Sequence, residues 1–226
     1  MTKSVVILPS RNRQHRIGKT ILSLREHTKV SDIIVSLDED DHMNYQRFAG
    51  VTYDVGPIPT RVGMNQKMNR MVDKLKDDYD YILWAADDTV VQTPAWDEIL
   101  IDAIREVPFG ISYPNDLLQG ENLPSNGTCF DSRIVHTLGY LSPPALYHLY
   151  LDNFWKLLGS ELGTLRYKKD VIVEHFHYVN KKALNDAAYE SVNSKDMYAA
   201  DRTTYQDYVN NGLAADLKKI RDVLEQ

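Results

Sequence analysis

A single cysteine, Cys129, is all the thiol chemistry this 226-residue chain offers. One thiol can neither close an internal disulfide nor build a cysteine-rich zinc site, which points to the cytoplasm as the compartment. Long apolar runs are missing as well. No stretch reaches the roughly 20 residues of a spanning helix, and the first four residues lead straight into the strand-like run from Val5 to Pro9, so neither a signal peptide nor a membrane span is expected. Excess positive charge is the third absence. With 26 Lys and Arg against 32 Asp and Glu the net charge is −6, which argues against coating nucleic acid by bulk electrostatics. A local basic cleft stays open, with Arg11, Arg13, Arg16 and Lys19, then Arg61, Lys67 and Arg70, then Lys181 and Lys182 as its candidates. Repeats, low-complexity tracts and an interdomain linker are not found either.

What is present suits one folded unit. The chain is 43% hydrophobic and 10% aromatic, enough for a substantial core but short for two complete domains. A mean hydropathy of −0.41 is ordinary for a globular protein.

In the first half, short apolar runs alternate with helical periodicity, the pattern of strands joined by crossover helices. Val5 to Leu8 reads as the first strand, and Ile17, Ile21 and Leu24 mark one face of a helix. Ile33 to Leu37 is a second strand closed by the acidic turn Asp38 to Asp41, and Val51 to Val55 a third, with loop from Gly56 to Pro59. Met64, Met68, Met71, Val72 and Leu75 trace the buried stripe of the next helix. Tyr81 to Ala86 is the most buried-looking strand and delivers Asp87 and Asp88 at its end. Thr93 as N-cap and Pro94 at the first helical position predict a helix to about Glu106. Beyond Phe109 the pattern loosens. Pro114, Gly120, Pro124 and Gly127 mark a long loop, with a run at Cys129 and Phe130, a helical stretch in Tyr147 to Leu158, a short strand at Val171 to Val173, and a polar, mostly helical segment from Asn185 to Gln226.

Open α/β sheets hold ligands at the carboxyl ends of their strands, and three strands here deliver polar residues to that edge: Ser10 to Arg13, Asp38 to Asp41, and Asp87 with Asp88. Adjacent carboxylates repel unless a cation or donors lie between them. Hard oxygen ligands suit Mg²⁺ or Mn²⁺, which in turn can bridge phosphate oxygens. A plainer reading makes the pair an Asx turn or a helix cap. His175 and His177, one residue apart in a strand-like stretch, can share a face, and one or both are candidates to complete a metal site; each is otherwise a core histidine. Asp152 sits in the aromatic-rich segment His148 to Trp155, where a carboxylate is expensive without partners. It is a candidate general base, or an N-cap for the following helix.

The order and spacing of these segments resemble family 2 glycosyltransferases of the GT-A fold, in particular a compact branch associated with tailed bacteriophages. The residues that carry the resemblance are Thr60 to Gly63 with Asn69, Ala86 to Thr89 followed by Thr93 to Asp97, His148 to Trp155, and Glu174 to His177 with Asp186. The resemblance implies an α/β, Rossmann-like three-layer sandwich of the nucleotide-diphospho-sugar transferase type, with a mostly parallel central sheet. It implies a single domain, with a nucleotide-binding half over 1–106, an acceptor half over 107–184 and a helical extension over 185–226.

The implied activity is metal-dependent transfer from a nucleotide-sugar, a UDP-sugar, to an acceptor hydroxyl with inversion, using Mn²⁺ or Mg²⁺. Pro9, Ser10, Arg11, Arg13, Asp38, Arg61, Asn65 and Asp87 then bind the nucleotide. Asp87 and Asp88 match a shortened DXD metal motif whose first acid is missing at Ala85 or Ala86, and His175 or His177 matches a C-terminal metal ligand. Asp152 matches the base of inverting members, with Leu151 where a first acid is more usual. For the acceptor, the bacteriophage likeness implies a hydroxymethylated base in DNA, in the host cytoplasm; a surface glycan, a protein or a small molecule are the others. Two further readings compete: a sugar nucleotidyltransferase, whose glycine-rich phosphate loop is not present in Ser10 to Gln14, and a non-catalytic binding protein of the same fold.

Overall fold

The computed structural model describes residues 2–61, 63–184 and 186–225. Val62 of the Thr60 to Gly63 segment, and Asn185 and Gln226 at the ends of the expected extension, lie outside the described residues. In chain order the elements are β1 (Ser4–Pro9), α1 (Ile17–His27), β2 (Asp32–Asp38), β3 (Thr52–Gly56), α2 (Asn65–Leu75), β4 (Tyr81–Trp84), β5 (Thr89–Val91) and α3 (Trp96–Asp102). There follow β6 (Ile111–Asn115), β7 (Cys129–Asp131), α4 (Arg133–Leu138), α5 (Leu151–Glu161), β8 (Leu165–His175), α6 (Ala187–Val192), α7 (Lys195–Asn211) and α8 (Leu213–Leu224).

The eight strands form one sheet in the order β3-β2-β1-β4-β7-β6-β8-β5. β3, β2, β1 and β4 run parallel, as do β6 and β8. β7 is antiparallel to both its neighbours, and β5 to β8.

Strand alternation explains why the central strands read as continuous apolar runs. Val5, Ile7, Ile82 and Trp84 face one core with Met68, Met71 and Val72 of α2, Phe154 and Trp155 of α5, and Ile220 of α8. Val6, Leu8, Tyr81 and Leu83 face the other, with Ile17, Ile21 and Leu24 of α1 and Trp96 and Leu100 of α3. This is the three-layer α/β sandwich the sequence implied. Trp96 and Trp155, at most 1% exposed, anchor the two faces. Truncating either to Ala would cost about 3–5 kcal/mol.

The structure corrects the second half of the sequence reading. Thr93 does not cap a helix: its Oγ1 accepts the N–H of Ile172 in β8 at 2.8 Å. The helix begins two residues past Pro94, behind Ala95 in a left-handed conformation (φ 54°), and stops at Asp102 rather than near Glu106. Asp97 within it is fully buried and accepts the N–H groups of Lys29, Val30 and Ser31, fixing the turn from α1 into β2. The expected long loop hides β6. Pro114 interrupts its ladder without ending it, because the register with β8 jumps there from Lys168 to Ile172. The short strand at Val171 to Val173 is the end of an 11-residue one. No helix among the described residues is long and apolar enough to cross a membrane.

Candidate active site

The strand order turns at β1: α1 covers one face on the way to β2, and α2 covers the other on the way to β4. Such a switch point leaves a crevice at the carboxyl ends of its strands. A cavity of about 1130 Å³ opens there. Pro9, Ser10, Arg11, Arg13 and Arg61 line it, together with Asp87, Asp88, Asp152, His175 and His177. Residues from five separate segments thus meet in one place.

At the β1–β2 edge the acids are matched with cations. Arg11 Nη1 lies 2.7 Å from Asp38 Oδ2 and 2.7 Å from Asp40 Oδ1, and Arg11 Nη2 donates to Asp40 Oδ2 at 2.8 Å. Lys67 Nζ lies 2.8 Å from Asp38 Oδ1 and donates to the Ser10 carbonyl at 2.8 Å. Asp38 is 1% exposed and sits behind these two cations rather than on the cavity wall. Asp38, Asp40 and Asp41 offer carboxylate oxygens within 4.8 Å of one another, but Arg11 and Lys67 already occupy that charge.

Asp87 and Asp88 follow β4 after two alanines. Their backbone is pinned: Thr20 Oγ1 donates to the Asp87 carbonyl at 3.0 Å, Phe176 N to the Asp88 carbonyl at 2.8 Å, and Ala86 N to Asn126 Oδ1 at 3.0 Å. Arg13 Nη1 donates to Asp87 Oδ1 and Asp88 Oδ2, each at 3.0 Å, and so bridges the two carboxylates. Ser10 Oγ donates to Asp87 Oδ2 at 2.6 Å, and Tyr189 Oη to Asp88 Oδ2 at 2.5 Å. His175 Nε2 stands 3.2 Å from Asp88 Oδ1.

The two neighbours respond in opposite directions. Burial, with the charge of Asp88 beside it, raises the Asp87 carboxyl although Arg13 opposes this. Burial works against the charge of Asp88 too, but the hydrogen bond and charge of His175, then Arg13, hold it well below the usual carboxylate range. His175 is pushed up by Asp88 against its own burial. His177, half-buried and beside His175, is pushed down to about 4, and its Nδ1 accepts the N–H of Val179. The two rings lie 5.1 Å apart, edge to face, so the sequence pairing is met; His175 is the one that reaches the carboxylates.

Asp152 lies in the first turn of α5, and the N-cap position belongs to Tyr150, so it is not an N-cap. Its Oδ1 accepts only the neighbouring Asn153 N–H, no Lys or Arg pairs with it among the described residues, and burial raises its carboxyl. The wall before it is set from a distance. Asp201 of α7 is fully buried and accepts the N–H groups of Tyr147, His148 and Leu149 at 2.7 to 2.9 Å. Gly63 closes on the same segment: a Cβ there would meet the Tyr147 carbonyl at 2.4 Å, and its φ of 114° excludes other residues.

Asn65, like Asp38, is an expected site residue that the structure takes off the cavity wall. It is fully buried, and its amide donates to the carbonyls of Pro143 and Leu146 while its oxygen accepts from Ser142 Oγ. Its work is to hold the 142–147 turn. Conversely Tyr189, Asp201 and Asp116 were not singled out. Lys67 enters the sequence reading only as a candidate for a basic cleft, and His148 only within its segment. Tyr189 also carries Arg13 on its ring face, 4.1 Å from the centroid.

No protein-family model matches the chain. No curated protein matches it in sequence. Solved structures do. TarS 1-349 of S. aureus in complex with UDP is 12% identical over 76% of this chain, with a TM-score of 0.55, and the chain spans 59% of that protein's length. The mannosyltransferase PcManGT from Pyrobaculum calidifontis, in complex with GDP-Man and Mn²⁺, is 10% identical over 99% of this chain and 74% of its own, with a TM-score of 0.60. Glucosyl-3-phosphoglycerate synthase from Mycobacterium tuberculosis, in complex with Mn²⁺, UDP and phosphoglyceric acid, is 13% identical over 80% and 74%, with a TM-score of 0.59. At these identities the likeness establishes the architecture alone: a GT-A, nucleotide-diphospho-sugar transferase fold.

Proposed function

We propose that this chain is a glycosyltransferase that takes a sugar from a nucleotide-sugar, a UDP-sugar, and passes it to an acceptor hydroxyl with inversion. The observation that carries this reading is one cavity holding two kinds of carboxylate: Asp87 and Asp88 paired with Arg13 and His175, and Asp152 with no cationic partner. Solved proteins of the same fold hold UDP or GDP-mannose with Mn²⁺. A putative glucose-1-phosphate thymidylyltransferase from Bacillus anthracis also shares the fold, at a TM-score of 0.50 and 12% identity. The glycine-free turn after β1 disfavours that chemistry here.

The residues fit a divalent cation. Neighbouring ligands on an octahedral Mg²⁺ stand about 3 Å apart, and Asp88 Oδ1 and His175 Nε2 are separated by 3.2 Å. Asp88, whose Oδ1 is buried without a hydrogen-bond partner, and His175 would hold Mn²⁺ or Mg²⁺; Asp87, whose oxygens are taken by Arg13 and Ser10, would join them only by releasing one of those bonds. When bound, the metal supplies positive charge to the diphosphate as it leaves. Arg61, exposed on that wall and paired with no acid among the described residues, would add positive charge there as negative charge builds. Asp152 takes the proton from the acceptor oxygen; its raised carboxyl makes it a better base than an exposed aspartate. The 1–106 half then serves the nucleotide, and 107–184 supplies Asp152 and the histidines.

Among the acceptors the sequence left open, a glycan or small-molecule hydroxyl fits better than a base in DNA. Of the basic-cleft candidates, Arg11, Arg13, Arg16, Lys67, Arg70 and Lys182 each pair with an acid of the chain itself, which weakens the cleft's pull on a phosphate backbone. The test is a screen of nucleotide-sugars with Mn²⁺ or Mg²⁺, following release of nucleoside diphosphate. Release of pyrophosphate from a sugar phosphate and a nucleoside triphosphate would transfer the assignment to a nucleotidyltransferase, and silence with every donor and both metals would sink the reading.

A further inference from the structure

Among the buried side-chain atoms without a hydrogen-bond partner, one facing pair lies beside the candidate cation site. Asp116 Oδ2 and His175 Nδ1 are both closed to solvent and stand 3.9 Å apart. Asp116, just past β6, is 2% exposed. Its other oxygen is fully used: Oδ1 accepts the N–H groups of Leu118, Gln119 and Gly120 at 3.0, 2.7 and 2.9 Å. Its carbonyl accepts the N–H of His175 at 3.0 Å, so the backbone fixes the two residues side by side. No Lys or Arg pairs with this carboxylate among the described residues. Asp116, the His175 ring and Asp88 therefore form a line, with Nδ1 turned toward one acid and Nε2 toward the other, at 3.9 and 3.2 Å.

A loop needing only an acceptor for three N–H groups is served as well by an asparagine, and a buried carboxylate without a cation is costly. The second oxygen therefore has a reason to be there. An imidazole that ligates a metal through Nε2 must carry its proton on Nδ1, and in a buried site that proton needs an acceptor to fix ring and tautomer.

We propose that Asp116 is a positioning residue of the cation site: its Oδ2 accepts the Nδ1 proton of His175 and so presents a bare Nε2 to the metal shared with Asp88. This rests on the reading of Asp87, Asp88 and His175 as the place of the cation. The 3.9 Å gap must shorten by about 1 Å to reach hydrogen-bond length when the proton is shared.

The experiment is titration calorimetry of Mn²⁺ in the presence of UDP, on the wild-type chain, Asp116→Asn, His175→Ala and the double variant. Asp116→Asn keeps an oxygen for the loop but offers an N–H to Nδ1, which forces the ring proton onto Nε2. The expected result is Mn²⁺ affinity about ten- to hundredfold weaker, with no further loss when the substitution is added to His175→Ala. Equal losses in both backgrounds would show a merely structural role and overturn the proposal, as would wild-type affinity in Asp116→Asn. If the wild-type chain binds UDP but no Mn²⁺, the metal reading itself falls and takes this proposal with it. Imidazole ¹⁵N shifts of the wild-type chain with Mg²⁺ and UDP decide the matter even where Asp116→Asn does not fold: a proton on Nδ1 supports the proposal and a proton on Nε2 overturns it.

Discussion

Along the ends of β1, β2 and β4, the acids on or behind the cavity wall meet cations: Asp38 has Arg11 and Lys67, Asp40 has Arg11, Asp87 and Asp88 share Arg13, and Asp88 also has His175. On the α5 wall, Asp152 has no such partner among the described residues and is met by local backbone N–H groups. The difference teaches how one cavity divides its labour. Asp88 and Asp40 are held charged by their partners, which would suit gripping phosphate and metal, although burial raises Asp87 beside them. An unpaired, partly buried carboxylate is left wanting a proton, which suits taking one.

The largest effect expected from breaking this contrast is at the unpaired acid. Asp152→Asn should lower kcat by about 10²- to 10⁴-fold while UDP binding is kept; near wild-type turnover would remove Asp152 from its role. Next is the bridge at the paired end. Arg13→Met leaves Asp87 and Asp88 facing each other, and breaking such a buried pairing costs about 3–5 kcal/mol, read from denaturant unfolding. A loss well under 1 kcal/mol would mean that solvent, not Arg13, neutralises the pair. Smaller again is Asp201→Ala, which strands three N–H groups behind the acceptor wall. It should cost about 1–3 kcal/mol and raise the acceptor KM more than that of the nucleotide-sugar; the reverse ratio would detach Asp201 from the acceptor side.

The subtlest prediction concerns pH. The carboxyl of Asp152 is raised in the folded chain, so its contribution to stability is fully present below the ordinary carboxylate range and is lost as pH rises through its folded value. Asp152→Asn should therefore be more stable than wild type near neutrality, with the gap closing in acid. A gap that widens on acidification would contradict the assigned direction. Activity should follow the opposite trend in the wild type, failing in acid as the base is protonated.

The parallel half of the sheet was legible because its strands are buried on both faces and bounded by turn residues, so Tyr81 to Ala86 could be seen to deliver Asp87 and Asp88. Pro114 concealed β6, since a proline inside a ladder reads as a break unless the register jump is known. Thr93 misled for a related reason: the hydroxyl that looks like a cap serves a strand 79 positions further on. The bridge made by Arg13 joins segments separated by 74, 75 and 173 residues, and no local pattern announces it. Asn65 read as a ligand because its partners, the carbonyls near Pro143, carry no side-chain signature. Asp152 was visible only because a carboxylate among aromatics is conspicuous.

The bond from Asp201 to the backbone of Tyr147, His148 and Leu149 has a bearing on the order in which this molecule comes into being. During synthesis the parallel half can collapse as soon as β4 leaves the ribosome, since domains form from the N-terminal side. The acceptor wall lacks its fastening until α7 has emerged, some fifty residues after the loop that it holds. Under the proposed function, a nascent chain would assemble its nucleotide side before its acceptor side, and the donor would be spared turnover until the last helices are made.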